Sequence, residues 1–105
     1  MDVKVKDKAL LELKDKAEEV SRLLSALAHP KRLIVLCNLV DAERSVGQLA
    51  DMAGLGQAAL SQHLSKLRDL RLVDTRRQGQ TIYYRLASTE VRAVLNTLYQ
   101  LYCAP

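Results

Sequence analysis

The amino-acid sequence predicts a mainly α-helical protein with a small β-hairpin, arranged as a winged helix-turn-helix. Three observations predict it. Five segments place apolar residues at spacings of three and four, the pattern of amphipathic helices. Two of these segments are short and meet at a turn containing glycine, as a helix-turn-helix does. One stretch, residues 72 to 86, changes to runs of Val, Thr, Ile and Tyr around a "QGQ" reversal, which makes a two-stranded wing.

Over residues 8 to 27, Leu13, Ala17, Val20, Leu24 and Leu27 form one stripe among Lys, Asp and Glu, so a single amphipathic helix is expected there. His29-Pro30 ends it. Proline at the first position of a helix loses no hydrogen bond, so "PKRLIVLCNLVD" is a second helix with His29 near its cap. Its apolar residues cover nearly the whole circumference, which marks a buried central helix. Ser45 is the expected N-cap of "SVGQLADMAG", where Val46, Leu49 and Met52 or Ala53 face inward and Gly54 stops the helix. After the "LGQ" turn, residues 57 to 70 form a fourth helix on Leu60, Leu64 and Leu67. The wing strands are "LVDTRR" and "TIYYRL". A last helix carries Val91, Val94, Leu95, Leu98, Leu101 and Tyr102 on one stripe, with Ser88 or Thr89 as its cap and Glu90 in its first turn.

The 105 residues suffice for one domain with one modest core, spanning 1–105. With 49% hydrophobic and 27% charged residues the chain is an ordinary folded one, and Leu, Val and Ala must build the core because four Tyr are the sole aromatics. The N-terminal "MDVKVKDKALLELKDKAEEV" mixes charges with apolar residues and reads as no secretory signal. No apolar run approaches the roughly 20 residues of a membrane span, so a cytoplasmic location is expected. There the two cysteines are expected to rest reduced.

Charge is what points to a partner. Residues 57 to 85 hold Lys66, Arg68, Arg71, Arg76, Arg77 and Arg85 against Asp69 and Asp74, which equals the whole net charge of +4. The other 76 residues balance at ten basic and ten acidic. This excess falls on the helix-turn-helix and wing, so double-stranded DNA is the expected partner. A helix in the major groove needs short polar side chains outside and apolar ones inside, and the fourth helix offers Gln57, Ser61, Gln62 and Ser65. Gln62 is the best base reader, because a carboxamide bonds adenine bidentately. Lys66 and Arg68 are expected phosphate partners. Arg76, Arg77, Gln78 and Gln80 surround the wing tip, which can follow the backbone or enter a minor groove. His63 lies at the edge of the inward stripe, where packing and base contact are both open. One such module makes few contacts, and the terminal helices have apolar stripes with little core left to cover. A homodimer through the terminal helices answers both needs.

The segments "LSALAHPKRLIVLCNLV", "SVGQLADMAGLGQAALSQHLSKLRDLRLV", "RRQGQTIYYRL" and "LYQLYC" resemble the ArsR/SmtB family of winged-helix repressors, and within it the sulfide- and redox-responsive branch. The resemblance covers about residues 20 to 103. It implies a homodimeric transcriptional repressor that holds an operator until an inducer loosens it. Where members often have serine this chain has Gly56 and Ala58, so the reading helix lacks a cap and one polar contact.

Cys37, at the centre of the apolar run "LIVLCNLV", reads on its own as a small core hydrophobe. It is mid-helix, and Cys103 lies at a helix C-terminus where the dipole opposes a thiolate, so neither has a local reason to be acidic. The resemblance matches Cys37 and Cys103 to the two cysteines of the sulfur-sensing branch and implies that they meet within one protomer. Reactive sulfur species or oxidants would bridge them and lower operator affinity. Metal sensing is the weaker alternative: "SVGQLADMAG" has no Cys or His, and "STEVRAVLNTLYQLYC" has no His or Asp. No cofactor is expected. An enzyme with Cys37 as nucleophile and His29 or His63 as base lacks any oxyanion loop or third orienting residue. The serious rival is a thiol-independent activator or antirepressor that works by binding DNA.

Overall fold

The computed structural model describes residues 3–103. Six helices and three strands follow in the order α1 (Val3–Asp15), α2 (Ala17–Leu27), α3 (Pro30–Cys37), β1 (Arg44–Ser45), α4 (Val46–Ala53), α5 (Gln57–Asp69), β2 (Val73–Gln78), β3 (Thr81–Leu86) and α6 (Thr89–Tyr102). The mainly α winged helix-turn-helix expected from the sequence is present: α4 and α5 are the two helices, and β2 and β3 are the wing.

Three expectations are corrected. The single first helix is two, broken at Lys16, whose backbone leaves the helical region at φ −101° and ψ 5°. Periodicity alone carries the stripe across this break, which is why the sequence did not reveal it. The sheet has a third strand, β1, on the free edge of β3, in the order β1-β3-β2 and antiparallel throughout. Two residues are too short to show an alternation. Thirdly, α3 is not buried all round. Val35, Leu36 and Leu39 are in the core, whereas Ile34 is 39% exposed and Cys37 is exposed as well.

The local signals account for the remaining boundaries. His29 caps α3, its Nδ1 accepting from the Lys31 backbone N–H at 3.1 Å, with Pro30 following in the first turn. Ser45 and Gln48 form a reciprocal capping box: the Ser45 hydroxyl accepts from the Gln48 backbone N–H at 3.2 Å, and the Gln48 side-chain Oε1 accepts from the Ser45 backbone N–H at 2.8 Å. Gly54 ends α4 in the left-handed conformation, φ 65°. Gly56 begins α5 with no side-chain cap, as its lack of a hydroxyl dictates. Ser88 caps α6, accepting from the Val91 N–H at 3.0 Å.

The core sits where α2, α3, α4, α5, the wing and α6 converge. Leu36, Leu39, Leu49, Leu60, Leu64, Leu67, Val35 and Val91 are fully buried within it. Each of the leucines contributes on the order of 2 kcal/mol by leaving water. The expected choice between Met52 and Ala53 falls to Ala53, since Met52 is 43% exposed. Outside the core, α1 exposes Leu10, Leu11 and Leu13, and α6 exposes Tyr99, Leu101 and Tyr102 at its far end. Of the last helix's stripe, Val91 and Leu95 are buried, and Val94 and Leu98 are half-buried. Among the described residues no helix is long and apolar enough to cross a membrane.

Candidate nucleic-acid interface and thiol pair

The burial of α5 divides it into the two faces its sequence implies. Leu60, Leu64 and Leu67 are at most 1% exposed, and Gln57, Ser61, Gln62, Ser65, Lys66 and Arg68 are exposed on the other side. Ser61, Gln62, Ser65 and Lys66 line one shallow concavity together with Asp69. Among the described residues no intrachain hydrogen bond or ion pair engages those four side chains, which leaves them available to base edges and phosphates. Asp69 is the one acid on this face.

His63 stands apart. It is half-buried, and its ring meets that of His29 edge-on with centroids 4.6 Å apart. Burial first, then the neighbouring His29 and Arg32, pushes its pKa below the ordinary histidine value. A neutral ring in contact with the cap of α3 fits a packing role between α3 and α5, one of the two readings its position left open.

On the wing, Gly79 adopts φ 63° as the first of the two residues joining β2 to β3, which a hairpin reversal favours. Arg77 folds back onto this turn, its Nε donating to the Gly79 carbonyl at 3.0 Å. Arg76 is more fully engaged. Its Nε donates to Glu43 Oε2 at 3.0 Å and Oε1 at 3.3 Å, and one terminal nitrogen donates to Gln78 Oε1 at 2.8 Å. The guanidinium also lies 4.7 Å from the Tyr83 ring centroid. Gln80 is exposed at the turn.

The two cysteines are free and exposed, and both occupy helix ends: Cys37 is the last residue of α3, not mid-helix as expected, and Cys103 is the C-cap of α6. The Cys37 thiol is pushed above its ordinary pKa by partial desolvation and, second, by the negative charge that Cys103 would carry. The two thiols thus lie at the C-terminal ends of α3 and α6, 66 positions apart in the sequence. The end of α3 offers Cys37 no compensation, since a helix C-terminus carries the negative end of the dipole.

Several residues around these sites escaped the sequence reading. The Arg44 Nε donates to the Asn38 carbonyl at 3.1 Å, and Arg92 donates to the Val40 carbonyl. Together they tie the segment leaving Cys37 to β1 and α6. Glu43 holds Arg76 from 33 positions away. Such long-range pairs leave no local signal.

The geometry agrees with what known proteins resemble this chain. The family model for the bacterial regulatory protein, arsR family, matches residues 29–75, from the cap of α3 to β2. The transcriptional activator HlyU of Vibrio cholerae is 47% identical over 90% of this chain and 87% of its own length. The biofilm growth-associated repressor of Xylella fastidiosa is 43% identical over 89% of this chain and 82% of its own.

The chain belongs to the ArsR family.

Solved structures of the family agree with the fold. Reduced HlyU from Vibrio cholerae superposes with a TM-score of 0.84 at 46% identity, covering 89% of this chain and 98% of that one. A winged helix-turn-helix DNA-binding domain from Mycobacterium bovis, described as homodimeric, superposes with a TM-score of 0.73 at 31% identity, over 91% of this chain and 83% of that one. ArsR-family proteins of this kind are DNA-binding transcription regulators, not enzymes. Among the described residues no group of three or more His, Cys, Asp or Glu is arranged to hold a metal ion.

Proposed function

We propose that residues 1–105 act as one cytoplasmic, homodimeric repressor whose affinity for its operator falls when Cys37 and Cys103 are bridged by reactive sulfur species or oxidants. The observation that supports the sensing is that both cysteines are free and exposed, at the last residue of α3 and at the C-cap of α6. With a persulfide, the Cys37 thiolate attacks the sulfane sulfur of glutathione persulfide, expels glutathione thiolate and becomes a persulfide itself. A second glutathione persulfide is the oxidant for closure: Cys103 joins Cys37 through a trisulfide, and glutathione and hydrogen sulfide leave. A peroxide would instead give the disulfide, with loss of two hydrogens to water.

DNA is held by Gln57, Ser61, Gln62, Ser65, Lys66 and Arg68 of α5 and by Arg77, Gln78 and Gln80 of the wing, while Arg76, engaged by Glu43 and Gln78, steadies the wing from within; His63 supports α5 from beneath. A dimer must present its two reading helices about 34 Å apart, so a small change of tilt at the α3–α6 junction spoils both half-sites. Emptying an occupied operator requires the bridged state to disfavour DNA by about 5 kcal/mol.

Intact-mass spectrometry after glutathione persulfide, with DNA binding followed by fluorescence anisotropy, tests the reading. A trisulfide mass and weakened binding are expected in the wild type, while Cys37→Ser and Cys103→Ser stay bound. Unchanged binding after verified bridging removes the switch. The likeness to the activator HlyU favours a second reading, a thiol-independent activator. Under it the Cys37→Ser/Cys103→Ser double variant would keep every transcriptional response.

A further inference from the structure

We propose that Glu43 and Arg76 are positioning residues that hold the wing's Gln78 as a fixed hydrogen-bond donor, and that this donor selects A·T pairs in the minor groove beside each half-site. The inference rests on the DNA binding of the family and is independent of the thiol switch. Arg76 belongs to the wing tip, for which the sequence left DNA backbone and minor groove both open, but its guanidinium is already occupied on three sides. Glu43 takes its Nε, Gln78 takes a terminal nitrogen, and the Tyr83 ring covers a face. The ion pair brings both carboxylate oxygens within reach of the Arg76 Nε, and the Arg76 and Glu43 side chains are 44% and 32% exposed. A cation whose charge is met inside the chain has little left to release counterions from DNA.

The consequence falls on Gln78. Guanidinium groups only donate, so the Gln78 carboxamide must turn its oxygen toward Arg76. Its NH2 group is then the free end, and Gln78 is exposed beside the turn. Such a donor matches adenine N3 and thymine O2, the acceptors that every A·T pair shows in the minor groove, and meets the amino group of guanine as a donor facing a donor. The latch also has a rigid base. Glu43 immediately precedes β1, whose Ser45 pairs with Tyr83 and caps α4, so the wing's donor is referenced to the helix-turn-helix itself.

Selection of binding sites from a random duplex pool, with sequencing of the enriched DNA, tests the proposal on the intact protein. The wild type is expected to enrich A·T pairs flanking each half-site. Arg76→Lys, which keeps the charge but cannot fork between Glu43 and Gln78, and Gln78→Ala should each reduce that flanking preference about fivefold and keep the central preference read by α5. Arg76→Gln should leave the dependence of log Kd on log salt unchanged. Persistence of the flanking preference in Arg76→Lys overturns the proposal. So does a salt slope shallower by about 0.9 per protomer in Arg76→Gln, which would make Arg76 a phosphate ligand. A wild type that enriches a central motif without flanking A·T defeats the latch alone, and one that enriches nothing defeats the DNA-binding reading beneath it.

Discussion

His63 shows how a single side chain reports its surroundings. Desolvation, His29 and Arg32 all disfavour its protonated form, so its folded pKa lies below the ordinary value of 6.5. Above that value the ring is neutral in both folded and unfolded chains. As pH falls from 6.5 through the folded value, the unfolded chain takes up the proton first and the fold loses stability. Urea denaturation at pH values on either side of that window should show stability falling with acid, and His63→Gln should flatten the loss. A dependence of the opposite sign would mean that His63 gains a partner on folding. At the same scale, Cys37 was legible as a core-type residue in a core-type run, and it is exposed instead. Its neighbours Val35, Leu36 and Leu39 take the buried face, and the residue's place at the end of α3 leaves its thiol exposed.

The helix ends are where sequence rules worked best, and one of them carries strain. Gly54 and Gly79 occupy left-handed positions that suit them, but Arg71 does so too, at φ 60°, just past the Leu70 C-cap of α5. The Arg71 and Leu72 N–H groups close that end by bonding to the Arg68 and Leu67 carbonyls, which requires the left-handed residue that glycine usually supplies. Arg71→Gly should therefore raise stability by about 1 kcal/mol, a gain of a few degrees in Tm. A calorimetric Tm lower than the wild type's would show that the Arg71 side chain makes contacts worth more than the strain. The Ser45 cap of α4, the Pro30 start of α3 and the inward leucines of α5 were all readable locally, because caps and periodicity act over four residues or fewer. The break at Lys16 and the strand β1 were not, since the first interrupts no hydrophobic pattern and the second is created by pairing with β3.

Across the whole molecule the unfinished business is apolar surface. Leu10, Leu11 and Leu13 of α1 are each at least 55% exposed, and Tyr99, Leu101 and Tyr102 of α6 are likewise uncovered. The terminal-helix dimer that we propose would cover them. Sedimentation of the wild type should give a dimer, and Leu11→Lys should shift it toward monomer and weaken DNA binding at least tenfold, because each protomer would then hold a single half-site. A monomeric wild type with full affinity would assign that surface another role.

The sequence by itself determined the helix-turn-helix, the wing, the inward face of α5 and the location of the charge excess, because each depends on residues a few positions apart. Only the tertiary structure decided that Arg76 is held by Glu43, that His63 packs on His29, and that Cys37 and Cys103 are both exposed at helix ends. The first two are contacts between residues 33 and 34 positions apart, and the third follows from where α3 and α6 end. No local preference encodes them, since they are set by how the elements pack around the leucine core, and the chemistry proposed for this protein depends on that packing.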